Sequence, residues 1–76
     1  MELKMGKYKH FKGHEYAILC VGRDSETFEE VVVYQGLYDS EEFGAKPIWV
    51  RPKKEFLETV TVDGKEIPRF EYLGEG

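Results

Sequence analysis

The side chains with chemistry to offer are few and scattered: His10, Arg23, Ser25, Glu26, Thr27, Tyr34, Trp49 and Arg51. A guanidinium grips carboxylate or phosphate through a planar fork of donors, so Arg23 and Arg51 are candidate anion holders. Trp49 and Tyr34 offer flat faces on which a base, a ring or a peptide proline can stack. Ser25, Glu26, Thr27 and His10 complete a polar set flanking extended segments. Gathered at one end of a fold, these groups would line a pocket with a few convergent polar contacts. A competing reading ties Arg23, Glu26 and Arg51 into an ion-pair network that closes the fold and leaves no site.

Other chemistries find too few parts. Ser25, His10 and Glu26 make a hydrolase set on paper, but a triad is defined by mutual reach, and Ser25 lacks a nucleophile-elbow context. His10, His14 and Cys20 are the nitrogen and sulfur ligands available, short of a closed tetrahedral zinc set. The spacing of His10 and His14 suits a helix, which Gly13 and the strand pattern deny. Neither G-x-G-x-x-G nor a Walker pattern occurs, so no phosphate cradle is implied. The expectation is a protein that binds without catalysing and carries no metal or cofactor.

The elements that must position these groups read mostly as strands. Pro52 disfavours helical backbone at Arg51, so Ile48-Trp49-Val50-Arg51 stays extended. Alternation separates Ile48 and Val50 from Trp49 and Arg51, and the aliphatic pair is assigned to the core. Pro52 suits the first position of a short helical turn, after which Phe56 and Leu57 drop onto the core. Upstream, residues 7–12 alternate like a strand that Gly13 ends. Residues 15–22 (EYAILCVG) are apolar on both parities, which predicts a strand buried on two sides with Cys20 as a small buried hydrophobe.

Residues 23–27 form a polar hairpin connection. Thr27-x-x-Glu30 matches a helix capping box, but the β-branched run Val31-Val32-Val33 favours a third strand over residues 30–38, with a bend or bulge at Gly36. An acidic loop follows over residues 39–46. Asp63-Gly64 between two extended runs predicts a two-residue type I′ hairpin. Pro68 cannot donate to a ladder, so the last strand, 65–72, is expected at an edge or a bulge.

With 76 residues there is room for one core only. The expected organisation is a loose leader over 1–6, a single domain over 7–73 and a frayed tail over 74–76. Five Phe, five Tyr and one Trp supply the large rings a small core needs. One cysteine allows no internal disulfide and fits a reducing setting, and no apolar run reaches the ~18 residues of a spanning helix, so a cytoplasmic protein with no membrane contact is expected. The net charge of −4 disfavours a general nucleic-acid coat. It is uneven: Lys4, Lys7, Lys9 and Lys12 cluster early, while Asp24, Glu26, Glu29, Glu30, Asp39, Glu41 and Glu42 follow one another with no base between. The fold class that results is all-β: a small, partly open SH3-like barrel or roll of about five or six strands with one short helical turn, with an OB-like barrel second.

Several landmarks together resemble the bacterial domain-of-unknown-function family 1653. They are Tyr8-Lys9-His10-Phe11-Lys12-Gly13, Tyr16, Arg23-Asp24-Ser25-Glu26-Thr27, Val32-Val33-Tyr34, Leu37-Tyr38, Trp49-Val50-Arg51-Pro52, Phe56-Leu57, Asp63-Gly64-Lys65 and Arg69-Phe70. The resemblance implies an SH3-like β roll and no activity or ligand. Lys53-Lys54 and Cys20-Val21-Gly22 depart from it locally. The expected function is a non-catalytic binding module for an anionic or planar small ligand, a short peptide or a nucleic-acid segment. The alternative is an interaction domain that pairs with itself or a larger protein through an exposed edge strand.

Overall fold

The computed structural model describes residues 3–75; expectations that fall on Met1, Glu2 and Gly76 lie outside the described residues. The strands are β1 (Lys7–His10), β2 (Glu15–Arg23), β3 (Glu30–Gly36), β4 (Asp39–Ser40), β5 (Gly44–Ala45), β6 (Ile48–Pro52), β7 (Thr59–Val62), β8 (Lys65–Pro68) and β9 (Phe70–Gly74), with the helical turn α1 (Lys53–Phe56) after β6. Five of them form one antiparallel sheet in the order β6–β3–β2–β1–β9, while β4–β5 and β7–β8 are separate two-stranded ladders.

The sheet stays open, which corrects the expectation of a barrel. Closure would need a strand bridging β6 to β9, and the segment between them pairs with itself. Asp63 (φ 52°) and Gly64 (φ 78°) form the positive-φ turn that their sequence predicts, aligning Val62 with Lys65 and Thr59 with Pro68. Pro68 has no N–H to carry the ladder on, so the expected last strand splits into β8 and β9. Arg69 N–H donates to the Glu58 carbonyl at 3.0 Å and ties off the hairpin base.

Residues opposite one another across a ladder share a face, so register locates the core. Ile18 lies opposite Tyr34, and Tyr16 lies opposite Tyr8 and Gly36. Tyr8, Ile18, Val32, Tyr34, Phe56 and Phe70 are buried on this inner face, with Leu3, Tyr16, Trp49, Leu57 and Tyr72 packed around them. Pro52 caps α1 with φ −54° and ψ 135°, and the turn delivers Phe56 at 2% exposure. The Phe56 ring stacks on Phe70 at 4.1 Å and meets Tyr8 and Tyr34 edge-on at 5.3 Å each.

Two burial expectations are reversed. Trp49 and Arg51 lie opposite Tyr34 and Val32 and so face the core side, while Ile48 (59%) and Val50 (64%) are exposed. An indole removes more apolar area from water than a valine side chain, so β6 presents its larger group inward. In β2 the register slips between Ile18 and Cys20, and Leu19, Cys20 and Val21 are all exposed. This bulge lies in β2 and not at Gly36. Gly36 instead ends β3 beneath Tyr38, whose ring would stand 2.6 Å from a Cβ added there.

Candidate functional site

Arg51 lies half-buried on the inner face, opposite Val32. Its Nε donates to the Tyr34 hydroxyl at 3.3 Å, and its guanidinium carbon stands 5.8 Å from the Phe70 ring centroid. Among the described residues the ion pairs within 4.0 Å are Lys53–Glu30 at 3.6 Å and Arg69–Glu58 at 3.8 Å. Arg51 therefore has no carboxylate partner among the described residues, and the Arg23–Glu26–Arg51 network does not form.

His10 ends β1 opposite Phe70, with ring centroids 4.9 Å apart, and its ring lies 6.4 Å from that of Tyr16. The Lys12 N–H donates to His10 Nδ1 at 3.1 Å, which places the proton of the neutral imidazole on Nε2. Burial pushes the His10 pKa below 6.5, and the like charges of Arg51, Arg69, Lys12 and His14 push it the same way. In a protein of net charge −4, the field at this ring is set by cations.

Phenols complete the surface. The Tyr16 and Tyr38 hydroxyls are 3.4 Å apart, and the Tyr16 ring meets Tyr34 and Tyr38 edge-on at 5.3 and 5.6 Å. Burial, then the bond with Tyr38, raises the Tyr16 pKa, so its hydroxyl stays protonated and able to donate. His14 stacks on Tyr38 at 4.2 Å. Trp49 packs against Phe43 at 5.1 Å, and its indole N–H is buried with no acceptor among the described residues. Such an unused donor costs about 1–3 kcal/mol when no partner is supplied.

The structure thus gathers His10, Tyr34, Trp49 and Arg51 on one side of the sheet and leaves Arg23, Ser25, Glu26 and Thr27 elsewhere. Arg23 ends β2 and the other three occupy the β2–β3 turn, which bonds of the Arg23, Asp24 and Thr27 side chains to local backbone hold together. Arg23 donates to the Phe28 carbonyl at 2.8 Å. Asp24 Oδ1 accepts from the N–H groups of Glu26 (2.8 Å) and Thr27 (3.2 Å), and Thr27 Oγ1 accepts from Glu29 N–H at 3.2 Å. The paper triad also comes apart: His10 sits beyond the Glu15 end of the nine-residue β2, and Ser25 beyond its Arg23 end. At ~3.3 Å per residue those ends are roughly 25 Å apart.

Sequence reasoning missed Tyr16, Tyr38, Phe70 and Arg69. A signal for Tyr38 was present, since a glycine two residues earlier leaves room for a ring to fold back. Nothing local marked Phe70, which joins the site only because β9 pairs with β1. Among the described residues no group of three or more His, Cys, Asp or Glu is placed to hold a metal ion.

Comparison with known proteins agrees with this fold. The family model described as protein of unknown function (DUF1653) matches residues 6–72. The crystal structure of a protein of that family from Bordetella bronchiseptica is similar to this chain with a TM-score of 0.86 and 36% identity, covering 99% of this chain and 92% of that one. No curated protein matches.

Proposed function

The chain belongs to the DUF1653 family of proteins of unknown function, and from that premise we propose that it is a non-catalytic binding module for a small anion borne on a planar or apolar body. The observation that carries this reading is Arg51: a half-buried guanidinium held by one phenol, set over an aromatic ring, with no ion-pair partner among the described residues. A cation in that position is most stable when an anion docks on its remaining donors. The neutral His10 ring and the Tyr16 and Tyr38 hydroxyls supply further donors, and the half-buried rings of Tyr16, Tyr38 and Trp49 supply a bed for a flat group.

A charge-assisted hydrogen bond contributes about 1.5–3 kcal/mol. Two of them reach the range of millimolar binding, near 4 kcal/mol, before any stacking is counted. The test is a nuclear magnetic resonance titration with inorganic phosphate, benzoate and a nucleoside monophosphate. The reading expects shifts at Arg51, His10 and Tyr34, with a planar anion binding tighter than phosphate and Arg51→Gln abolishing the response. Shifts confined to Lys4, Lys7 and Lys9, or a response unchanged in Arg51→Gln, would overturn it.

A further inference from the structure

The free edge of β6 carries a second inference, independent of Arg51. Gly36 N–H donates to the Pro47 carbonyl at 2.7 Å, and antiparallel bonding alternates from there. Trp49 and Arg51 therefore spend their backbone groups on β3. Ile48 and Val50 point theirs outward, where no strand among the described residues pairs with β6. The same two residues expose their side chains on the outer face at 59% and 64%.

That outer face is apolar next to the edge and charged away from it. Val50 lies opposite Val33, which lies opposite Cys20, and Pro52 lies opposite Val31. Further across, the face carries Lys7, Lys9, Glu15 and Glu71. The two edges of the sheet also differ. β9 presents exposed Glu71, and its pairing with β1 is irregular between Lys7 and Tyr8. Charges and irregular pairing are the usual protection of a strand edge, and Ile48–Val50 lacks both, with Pro47 and Pro52 only limiting the length of the strand.

We propose that β6 pairs antiparallel with β6 of a second copy of this chain. Charge complementarity selects the occupant and its direction. β6 leaves a hairpin segment bearing Asp39, Glu41 and Glu42 against Lys46, and enters a turn bearing Lys53 and Lys54 against Glu55. Antiparallel pairing sets the basic end of each copy beside the acidic end of the other, and parallel pairing would oppose like charges. The joined sheet makes one apolar strip of both outer faces across the seam. A window of four residues buries less than the ~800 Å² per partner of a stable complex, so the dimer is transient and concentration-dependent.

The experiment is sedimentation of the whole chain from ~10 μM to ~1 mM, a range reaching down to about 4 kcal/mol of association, with amide exchange measured in parallel. The wild type should dimerise across this range, with slower exchange of the Ile48 and Val50 amides at the high end. Val50→Lys changes an exposed residue on the face away from Arg51 and should weaken association at least ~10-fold, about 1.4 kcal/mol. Lys54→Glu should weaken it as well, and adding Glu42→Lys should restore it. A chain that stays monomeric at ~1 mM would leave the edge to some other protein and overturn the proposal. So would a dimer indifferent to Val50→Lys, or one whose Ile48 and Val50 amides exchange at the same rate at every concentration. None of these failures bears on the anion site, which lies on the opposite face.

Discussion

Arg51 Nε and the Tyr34 hydroxyl meet at 3.3 Å on a diagonal, because Arg51 lies opposite Val32 while Tyr34 lies opposite Trp49. The bond links adjacent strands one ladder step apart and aims the guanidinium over Phe70. It converts an edge-strand arginine from a solvated charge into a fixed one.

Arg51→Gln removes that bond and leaves the Tyr34 hydroxyl short of a partner, which should lower stability by about 1 kcal/mol. Anion binding should vanish in the same variant, whereas Arg51→Lys should keep part of the affinity as a point charge without the fork. Urea unfolding together with the phosphate titration separates the two effects. A loss of several kcal/mol would make Arg51 structural before anything else.

His10 gives a pH signature. Its folded pKa lies below 6.5, so as the pH falls the unfolded chain takes up this proton first. The stabilisation is complete above the unfolded value, about 6.5, and drains away as the pH drops through it towards the lower folded value. An anion on Arg51 supplies the missing negative charge and should raise the His10 pKa. Titration of the ring resonances with and without phosphate measures that rise, and an unmoved pKa would place the anion elsewhere.

Gly36→Ala would drive a methyl into the Tyr38 ring, 2.6 Å away at its nearest carbon. Overpacking of this kind costs about 1–3 kcal/mol. Tyr38 should swing off Tyr16 and release its stack on His14. The check is a shift of the His14 ring signals alongside lost stability; an unchanged His14 environment would mean that the ring yields without moving.

Phe56→Ala empties the middle of the aromatic cluster, where Phe56 is 2% exposed and stacked on Phe70. Such truncations cost about 3–5 kcal/mol, a large share of what a domain this small holds. Thermal unfolding should show a much lower midpoint or no cooperative transition. A midpoint near that of the wild type would show that α1 is dispensable.

The sequence carried the turns more clearly than the faces. Asp63-Gly64 and Pro52 declare themselves because each restricts its own backbone, whatever surrounds it. Alternation in β6 separated Trp49 and Arg51 from Ile48 and Val50 correctly but is silent on which pair faces inward, since that depends on Tyr34 and Val32 across the ladder. Cys20 was misplaced because an all-apolar run hides a bulge that shifts every residue beyond it. The turn residues Arg23 to Thr27 looked available because local backbone bonding leaves no mark in composition. Tyr8 was the opposite case, a strand residue whose buried hydroxyl reaches back to the Lys4 carbonyl at 2.5 Å.

The first strand of the sheet, β1, is held between β2 and the last strand, β9, so His10 finds Phe70 from the far end of the chain. During synthesis the hairpin of β2 and β3 can form early, but the aromatic cluster stays incomplete until Phe70 has left the ribosome. The nascent chain must carry Tyr8, Tyr34 and Phe56 unsheltered until then, and a truncated product that stops before β9 should be a ready substrate for chaperones and proteases.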